Sequence, residues 1–208
     1  MRRRRATTLA LAGAAAAAGA GVWWRRNPSA CPYGQRFWVE LPHPLITRPR
    51  LRAALAPAPG EHILEVGPGT GYYSLPVARW LGPQGTLELF DLQPEMLEHT
   101  LKRARAAGLG NMSSTEGDAQ QMPFADGTFD AAYLTTVLGE IPDQSAALRE
   151  LRRVLKPGGR LVVGELLLGD PHWVSPGSLR RQAEAAGLRF ERQFGTALGY
   201  FARFAPAG

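Results

Sequence analysis

Residues Ile63 to Ser74 read I-L-E-V-G-P-G-T-G-Y-Y-S, and this stretch decides how the rest of the chain can fold. Strand-forming residues lead into three glycines at alternating positions, Gly67, Gly69 and Gly71. An apolar helical face follows at once, formed by Leu75, Val77, Ala78 and Leu81. A strand, a glycine turn and a helix form the opening of a nucleotide-binding βαβ unit. The glycines let a ligand approach the backbone closely, and the helix N-terminus offers unpaired N–H groups.

Strand and helix patterns alternate along the rest of the chain. Helices are predicted over 71–81, after Pro94 as far as Gly108, after Asp143, and from Ser175 to Gly187. The predicted strands cover residues 63–66, 86–90, 112–116, 129–135, 161–167, 190–194 and 200–204. This alternation predicts an α/β fold with a Rossmann-like, doubly wound, mostly parallel sheet that binds ligands at the carboxyl ends of its strands.

The basic charge of the chain is confined to its N-terminus. The 208 residues include 24 Lys and Arg and 18 Asp and Glu, a formal net charge of +6. Six of the bases lie at positions 2–5 and 25–26, and from Asn27 onward 18 bases face 18 acids. A nucleic-acid surface is therefore not expected on the body of the protein. The single cysteine, Cys31, excludes an intrachain disulfide.

An apolar, uncharged segment runs from Ala6 to Trp24 between the two arginine clusters. Its length and its Trp-Trp-Arg-Arg flank favour an apolar helix that anchors residues 1–26 in a membrane. Paired arginines before an Ala/Gly-rich stretch also resemble a twin-arginine export signal, and an inert leader is the third interpretation. The excess of positive charge before the segment would send the body across the membrane. The cofactor that a nucleotide-binding turn would hold is made in the cytosol, however. We therefore expect the body on the cytoplasmic side of the membrane.

Residues 27–60 form a separate N-terminal segment before the domain at 61–208. The segment is rich in proline and aromatics, and Pro42 and Pro44 exclude a regular element around His43. A helix capped by Thr47 follows, with Pro49 in its first turn. Placed ahead of the first core strand, the segment is predicted to act as a lid over the ligand cleft or as a helix packed on the sheet.

Two carboxylates indicate which ligand the glycine turn holds. The nicotinamide fingerprint requires a third glycine where this chain has Tyr72, which argues against a bound pyrophosphate. Asp91 ends the second predicted strand, where a carboxylate can accept hydrogen bonds from a ribose. Asp118 follows the third strand and could accept from the exocyclic amine of a base. The pattern predicts a nucleoside.

These motifs, with Pro123-Phe124, Phe129-Asp130 and L-K-P-G-G-R-L at 155–161, resemble the class I S-adenosylmethionine-dependent methyltransferases. The resemblance runs from about Glu61 to Leu167. Within the family, the chain is most similar to the branch that includes quinone-biosynthesis and small-molecule methyltransferases. The resemblance implies S-adenosyl-L-methionine as cofactor and a seventh strand antiparallel to the rest. It also implies cofactor contacts from Glu65, Gly67, Gly69, Gly71, Asp91, Leu92, Asp118 and Ala119.

The acceptor and any general base are less well defined by the sequence. Glu140 and Glu165 lie at the predicted carboxyl ends of strands four and five and are candidate bases. The candidate substrate-pocket groups are His43, Tyr72, Tyr73 and His172. An anchor and aromatic residues before the core favour a small lipophilic acceptor: a quinone, a lipid amine or a thiol. No metal ion and no nucleic-acid partner are expected.

Two other functions stay open at this point. One is a nicotinamide-dependent oxidoreductase, against which Tyr72 and Asp118 count. The other is a non-catalytic nucleoside-binding or exported protein that retains only the fold.

Overall fold

A seven-stranded sheet forms the centre of the protein. The computed structural model describes residues 32–34, 43–167, 170 and 172–207. The predicted anchor or signal at residues 1–26, including its apolar helix, and much of the predicted lid at 27–60 lie outside these residues. Strand order is β3-β2-β1-β4-β5-β7-β6. All strand pairs are parallel except the two made by β7. The predicted α/β sheet with an antiparallel last strand is confirmed.

The elements follow one another in the predicted alternation. The strands are β1 (His62–Val66), β2 (Thr86–Asp91), β3 (Met112–Glu116), β4 (Phe129–Thr135), β5 (Leu155–Leu166), β6 (Leu188–Thr196) and β7 (Gly199–Pro206). The helices are α1 (Arg48–Leu55), α2 (Ser74–Leu81), α3 (Pro94–Ala106), α4 (Gln144–Val154) and α5 (Pro176–Ala185), with a 3-10 turn at Leu138–Glu140.

Two apolar layers cover the sheet because side chains on each strand alternate between its faces. Ile63 of β1 packs with residues of α1, α2 and α3 on one face. Leu64 and Val66, next to it in sequence, pack with α4 and α5 on the other. Helices on both faces of a mostly parallel sheet are the doubly wound arrangement that brings the strands' carboxyl ends together at one edge.

Helix α2 begins later than the sequence predicted. The predicted start at Gly71 is wrong, because Gly71 has a φ of +81°, a left-handed conformation that an α-helix does not contain. The Gly71 amide instead donates to the Pro68 carbonyl at 2.9 Å and closes a turn. Ser74 is the first helical residue, so the glycine turn is three residues longer than predicted.

Strand β5 begins earlier than predicted, at Leu155 rather than Leu161. Lys156–Gly159, predicted to form a turn, lie inside the strand as an irregularity in its pairing with β4. Phe129 pairs with Leu155 and Ala131 pairs with Arg160, so the extra residues of β5 face only Asp130. A positive φ at Gly158 and a 2.7 Å ion pair between Lys156 and Asp130 hold this bulge.

Arg160 ties α1 to the sheet. Its guanidinium forms a two-point ion pair with Glu61, with N–O distances of 2.8 and 2.6 Å. It also donates to the carbonyl oxygens of Leu55 and Ala56 at the end of α1, where the helix leaves its own acceptors unpaired. The Arg160 and Glu61 side chains are 11% and 19% exposed, so solvent screens the pair only weakly.

None of the helices within the described ranges is both long enough and apolar enough to cross a membrane.

Replacing Arg160 with methionine should lower the free energy of unfolding by roughly 2–3 kcal/mol, because Glu61 and two helix carbonyls would be left unpaired in a largely buried position. Urea denaturation measures the change. Arg180→Met, which removes an exposed ion pair with Glu184, is the control and should cost less than about 1 kcal/mol. Equal losses in the two variants would show that Arg160 is not an anchor.

Candidate functional site

A cavity of about 380 Å³ opens at the carboxyl ends of β1, β2, β3 and β4. Pockets of this size hold a small ligand or a cofactor. Its lining residues come from the last residues of these strands and from the segments that follow them: Val66, Gly67, Gly69, Phe90, Asp91, Leu92, Gln93, Met96, Gly117, Asp118, Ala119, Gln120, Thr135, Thr136, Val137, Glu140, Ile141 and Pro142. Six of the eight predicted cofactor residues are among them; Glu65 and Gly71 are not.

The glycine turn forms one wall of the cavity. Gly67 has a φ of +68°, and a Cβ added there would lie 2.4 Å from Cγ2 of Val137, so no other residue fits. Helix α3 holds the turn from behind. The Thr100 hydroxyl donates to the Gly69 carbonyl at 2.9 Å, and Arg103 donates to the Thr70 carbonyl at 2.6 Å. The turn is therefore fixed in shape by groups outside the glycine sequence.

Asp91 lies at the end of β2, half-buried, and one of its carboxylate oxygens accepts from the Gln93 amide at 2.9 Å. Burial raises the pKa of Asp91 to about 6, although hydrogen bonds from the Gln93 and Leu92 amides oppose the shift. At neutral pH the carboxylate is mostly ionised, and its second oxygen can accept from hydroxyl groups. Leu92 beside it is 61% exposed, an unusual exposure for a large apolar side chain.

Asp118 and Gln120 make a polar wall opposite. The Gln120 side-chain amide donates to both carboxylate oxygens of Asp118, at 3.0 and 2.9 Å. The Gln120 carbonyl oxygen accepts from the Asp143 amide at 3.1 Å, so Gln120 bridges the loops after β3 and β4. Ala119 lies between them and is buried.

Glu65 lies beneath the glycine turn, 3% exposed, and does not line the cavity. Three buried polar atoms have no well-formed hydrogen bond there: Glu65 Oε2, Ser74 Oγ and Tyr133 Oη. Glu65 and Tyr133 are direct partners across β1 and β4. Burial raises the pKa of Glu65 to about 7; the nearby Ser74 and Tyr133 hydroxyls oppose this shift, and the charge of Asp91 adds to it. A buried carboxyl with one oxygen that lacks a well-formed hydrogen bond is costly and marks a functional-site candidate.

The end of β4 forms the side of the cavity nearest the candidate base. Thr136 has a φ of +54°, which is strained for a β-branched residue. Its amide donates to the Gly164 carbonyl at 2.8 Å, which holds the strained backbone against β5. Backbone strain of this kind is concentrated at binding and catalytic sites. Glu140 follows in the 3-10 turn and lines the cavity.

Glu165 lies away from the cavity, fully buried on the α4–α5 face of the sheet. One carboxyl oxygen accepts from the Val174 amide at 3.1 Å, and the other has no hydrogen-bond partner. Burial raises the pKa of Glu165 well above its usual value, with smaller contributions from the charges of Asp170 and Glu140. Burial therefore favours the neutral form of this carboxyl. This geometry favours a structural role over that of a base.

The four predicted substrate-pocket groups lie outside the cavity. His43, Tyr72 and Tyr73 form an aromatic cluster beside α2. Tyr73 donates its hydroxyl proton to the Ile46 carbonyl, and His43 Nδ1 lies 3.0 Å from the same hydroxyl oxygen. His172 is buried, and its carbonyl packs closely on Gly139. A Cβ added at Gly139 would lie 1.9 Å from the His172 carbonyl oxygen. The contacts of Tyr72 and Tyr73 with His43 and Ile46 connect the segment before the domain to the end of the glycine turn.

Several residues of the cavity went unrecognised in the sequence. Gln93 and Met96 belong to the loop after β2 and the first turn of α3, and their only signal is their position just after Asp91. Thr135, Thr136 and Val137 follow a buried strand in the same way, and a rule that selects residues after every strand end would have found them. No feature of the sequence around Gln120 indicates that this residue lines the cavity.

The methyltransferase-domain family matches residues 63–159 of the chain. The ubiquinone/menaquinone biosynthesis C-methyltransferase UbiE of Haemophilus ducreyi is 38% identical over 107 residues, 51% of this chain and 41% of that protein. The protein of the same name from Cellvibrio japonicus is 40% identical over 114 residues, 54% of this chain and 45% of that protein. Residues 63–159 are therefore similar to the methyltransferase domain of class I S-adenosylmethionine-dependent enzymes. The chain spans less than half the length of these two relatives.

Solved structures show the same methyltransferase fold. A SAM-dependent methyltransferase from Aquifex aeolicus superposes with a TM-score of 0.76 at 21% identity, covering 85% of this chain and 98% of that one. The [4+2]-cyclase SpnF superposes with a TM-score of 0.68 at 22% identity, covering 77% and 80%. Because a cyclase shares the fold, these likenesses show architecture alone.

The methyltransferase cofactor fits the donors present at this site. Asp91 offers a free carboxylate oxygen for ribose hydroxyls, and exposed Leu92 offers an apolar surface for a base. Asp118 offers a carboxylate for an exocyclic amine, although Gln120 now occupies both of its oxygens. Glu65 lies beneath the turn rather than in the cavity, and its Oε2, which has no well-formed hydrogen bond to the described residues, is the oxygen that would accept from the ammonium group of the amino-acid tail. Among the described residues that line the cavity there is no Lys or Arg to pair with a pyrophosphate.

Ionisation of Glu65 should control cofactor affinity if its carboxylate holds the ammonium group. With a pKa of about 7, Glu65 is mostly protonated at pH 6 and becomes a carboxylate as the pH rises. Affinity for S-adenosylhomocysteine, measured by calorimetry, should therefore increase about tenfold between pH 5.5 and 7.5. The facing titratable groups are Tyr73 and Tyr133, which stay neutral, and Asp91.

Glu65→Gln should remove most of this increase and leave the smaller dependence near pH 6 that Asp91 contributes. Glu88→Gln changes another buried glutamate, whose partners Ser113 and Thr115 are remote from the turn, and should retain the full dependence. An unchanged pH profile in Glu65→Gln would exclude Glu65 from cofactor recognition.

Proposed function

We propose that this chain transfers a methyl group from S-adenosylmethionine to a small lipophilic acceptor. One observation carries the proposal: a single cavity joins the nucleoside-type donors, Asp91 and Asp118, to Glu140 beyond the glycine turn. When bound, the cofactor supplies an electrophilic methyl carbon on sulfur and leaves as a neutral thioether. The chain's own contribution is to position the reactants, exclude water and accept a proton where the acceptor must lose one.

A quinol or phenol is the acceptor class that we favour. The two UbiE relatives are named as C-methyltransferases of quinone biosynthesis, and this chain resembles them across the cofactor half. Carbon methylation of a phenolic ring forms a C–C bond with an electron pair that the ring supplies more readily as a phenolate. A base that accepts the phenol proton therefore assists the reaction. A lipid amine and a thiol are the other lipophilic acceptors that fit the same arrangement.

Glu140 is the residue that we assign to this proton transfer. Three carboxylates line the cavity among the described residues, and Asp91 and Asp118 lie on the nucleoside side. Glu140 comes from the loop after β4, next to the strained Thr136 and across the glycine turn from those two. A carboxylate on that side can accept a proton from an acceptor approaching the methyl group.

Glu140→Gln should lower kcat by about a hundredfold while leaving the affinity for S-adenosylhomocysteine unchanged, because the amide keeps the shape and cannot accept the proton. The deficit should shrink at high pH, where a phenol ionises unaided. Incorporation of labelled methyl groups into lipid extracts from cells lacking the protein measures turnover and identifies the acceptor. Glu98→Gln, exposed on α3, is the control. Unchanged turnover at every pH would remove Glu140 from the mechanism.

We also propose that residues 6–24 hold the chain at a membrane with the domain on the cytoplasmic side. The support is the uncharged stretch with its Trp-Trp-Arg-Arg flank, and the supply of the cofactor in the cytosol. A lipophilic acceptor would then lie in the membrane next to the site.

Protease added to intact cells should leave the C-terminus uncut, whereas the same protease should cut it after the cells are permeabilised. Digestion of the C-terminus in intact cells would instead support the exported alternative.

A further inference from the structure

Three arginines lie over aromatic rings on one side of the sheet. Arg48 lies 4.1 Å from the centre of the Tyr72 ring, and Arg52 lies 5.4 Å from that of Trp80. Arg192 of the edge strand β6 lies 5.0 Å from the centre of the Phe194 ring. All three arginines are exposed and all three rings are half-buried. We call these six residues the basic aromatic face.

The face is continuous across α1, α2 and β6. Arg48 and Arg52 are one turn apart on α1 and reach the beginning and the end of α2. Arg192 pairs in register with Arg203, whose guanidinium reaches the Ala54 carbonyl of α1 at 3.5 Å. The edge strand therefore lies against the same helix that carries the first two arginines.

Carboxylates do not neutralise this face. From His43 to Leu87 the sequence has only two acids. Glu61 is paired with Arg160, and Glu65 is buried. On β6, Glu191 is paired with Arg203 and Arg189. Within the described part of the chain, no carboxylate pairs with Arg48, Arg52 or Arg192. The body of the protein, whose bases and acids balance from Asn27 onward, thus carries three arginines without a described carboxylate partner on this face.

We propose that the basic aromatic face docks on the surface of a bilayer that contains anionic phospholipids. Arginine binds phosphate groups through two parallel hydrogen bonds, and tryptophan and tyrosine rings favour the interface between headgroups and acyl chains. Helix α1 is also the first described α-helix after the apolar segment at 6–24, so this part of the face lies close in sequence to the proposed membrane anchor. The contact does not depend on which acceptor is methylated.

Vesicle co-sedimentation of the full chain tests the proposal with two lipid compositions. Binding to phosphatidylcholine vesicles measures the contribution of the apolar segment. The increase in affinity when phosphatidylglycerol is mixed into the vesicles measures the electrostatic contribution, which we call the added part. Arg48→Gln/Arg52→Gln/Arg192→Gln should weaken the added part by roughly fivefold for each arginine removed and leave binding to neutral vesicles unchanged. The added part should also fall as salt rises.

A matched triple variant on the opposite side, Arg149→Gln/Arg180→Gln/Arg181→Gln, removes the same charge. Its Arg180 also lies over a ring, that of Phe190, at 4.9 Å. This variant should bind anionic vesicles like the unchanged chain. Arg48→Lys/Arg52→Lys/Arg192→Lys should retain most of the binding, since the charge is kept, which separates loss of charge from loss of the fold.

Equal losses in the two glutamine triples would overturn the proposal, because they would show an effect of net charge alone. A parallel loss of binding to a DNA duplex would also overturn it, because the face would then be a general polyanion surface. Methyl transfer to an added acceptor in detergent should be the same in the first triple and the unchanged chain. Its failure there would concern the proposed reaction rather than the membrane contact.

Discussion

The close approach of Gly67 to Val137 is the constraint on which the cavity depends. It brings the end of β1 against the end of β4 with no room for a side chain between them. The Gly67 amide at the same time donates to the Phe90 carbonyl of β2 at 2.8 Å, so one residue joins three strand ends. The loops that carry Asp91 and Glu140 then diverge from this point, and the space between them is the cavity.

Buried polar groups beneath the turn reduce the stability of the domain. The carboxyl of Glu65, the Ser74 hydroxyl and the Tyr133 hydroxyl are all removed from water without full hydrogen bonding. Each such group costs on the order of 1–3 kcal/mol. Stabilising interactions elsewhere in the domain offset this cost. They are the apolar layers on both faces of the sheet and the Arg160 ion pair. A polar centre held by an apolar surround is the usual arrangement of a binding site that favours charged ligands.

The sequence predicts those parts of the fold that local patterns determine. The strands at Met112–Glu116 and Phe129–Thr135 match their predicted bounds, because turn residues or a glycine delimit each of the two segments. Local patterns gave the wrong start for α2 at Gly71 and a turn in place of a strand at Lys156–Gly159. At both positions, pairing with distant residues decided the conformation. A Lys-Pro-Gly-Gly sequence predicts a turn, yet Asp130 on the neighbouring strand accommodates it as a bulge.

The candidate site was partly predictable for a related reason. Asp91, Asp118 and Glu140 follow strand ends, and parallel strands bring such positions to one edge. The positions of Glu65 and Glu165 depend on which face of a strand each one occupies. Both are buried and neither lines the cavity, although Glu65 lies directly beneath the glycine turn. Gln120 could not be found, because its role consists of contacts with two residues from different loops.

The hydrogen bonds of Gln120 connect the loop after β3 to the loop after β4, on two sides of the cavity. A ligand that takes the carboxylate of Asp118 competes with Gln120, whose other end holds the Asp143 amide. Asp143 caps α4 through the Ala146 amide at 2.9 Å and follows Glu140 by three residues. Displacing one glutamine side chain would therefore loosen the loop that carries Glu140. Binding of a ligand at Asp118 and the position of Glu140 would in this way be coupled.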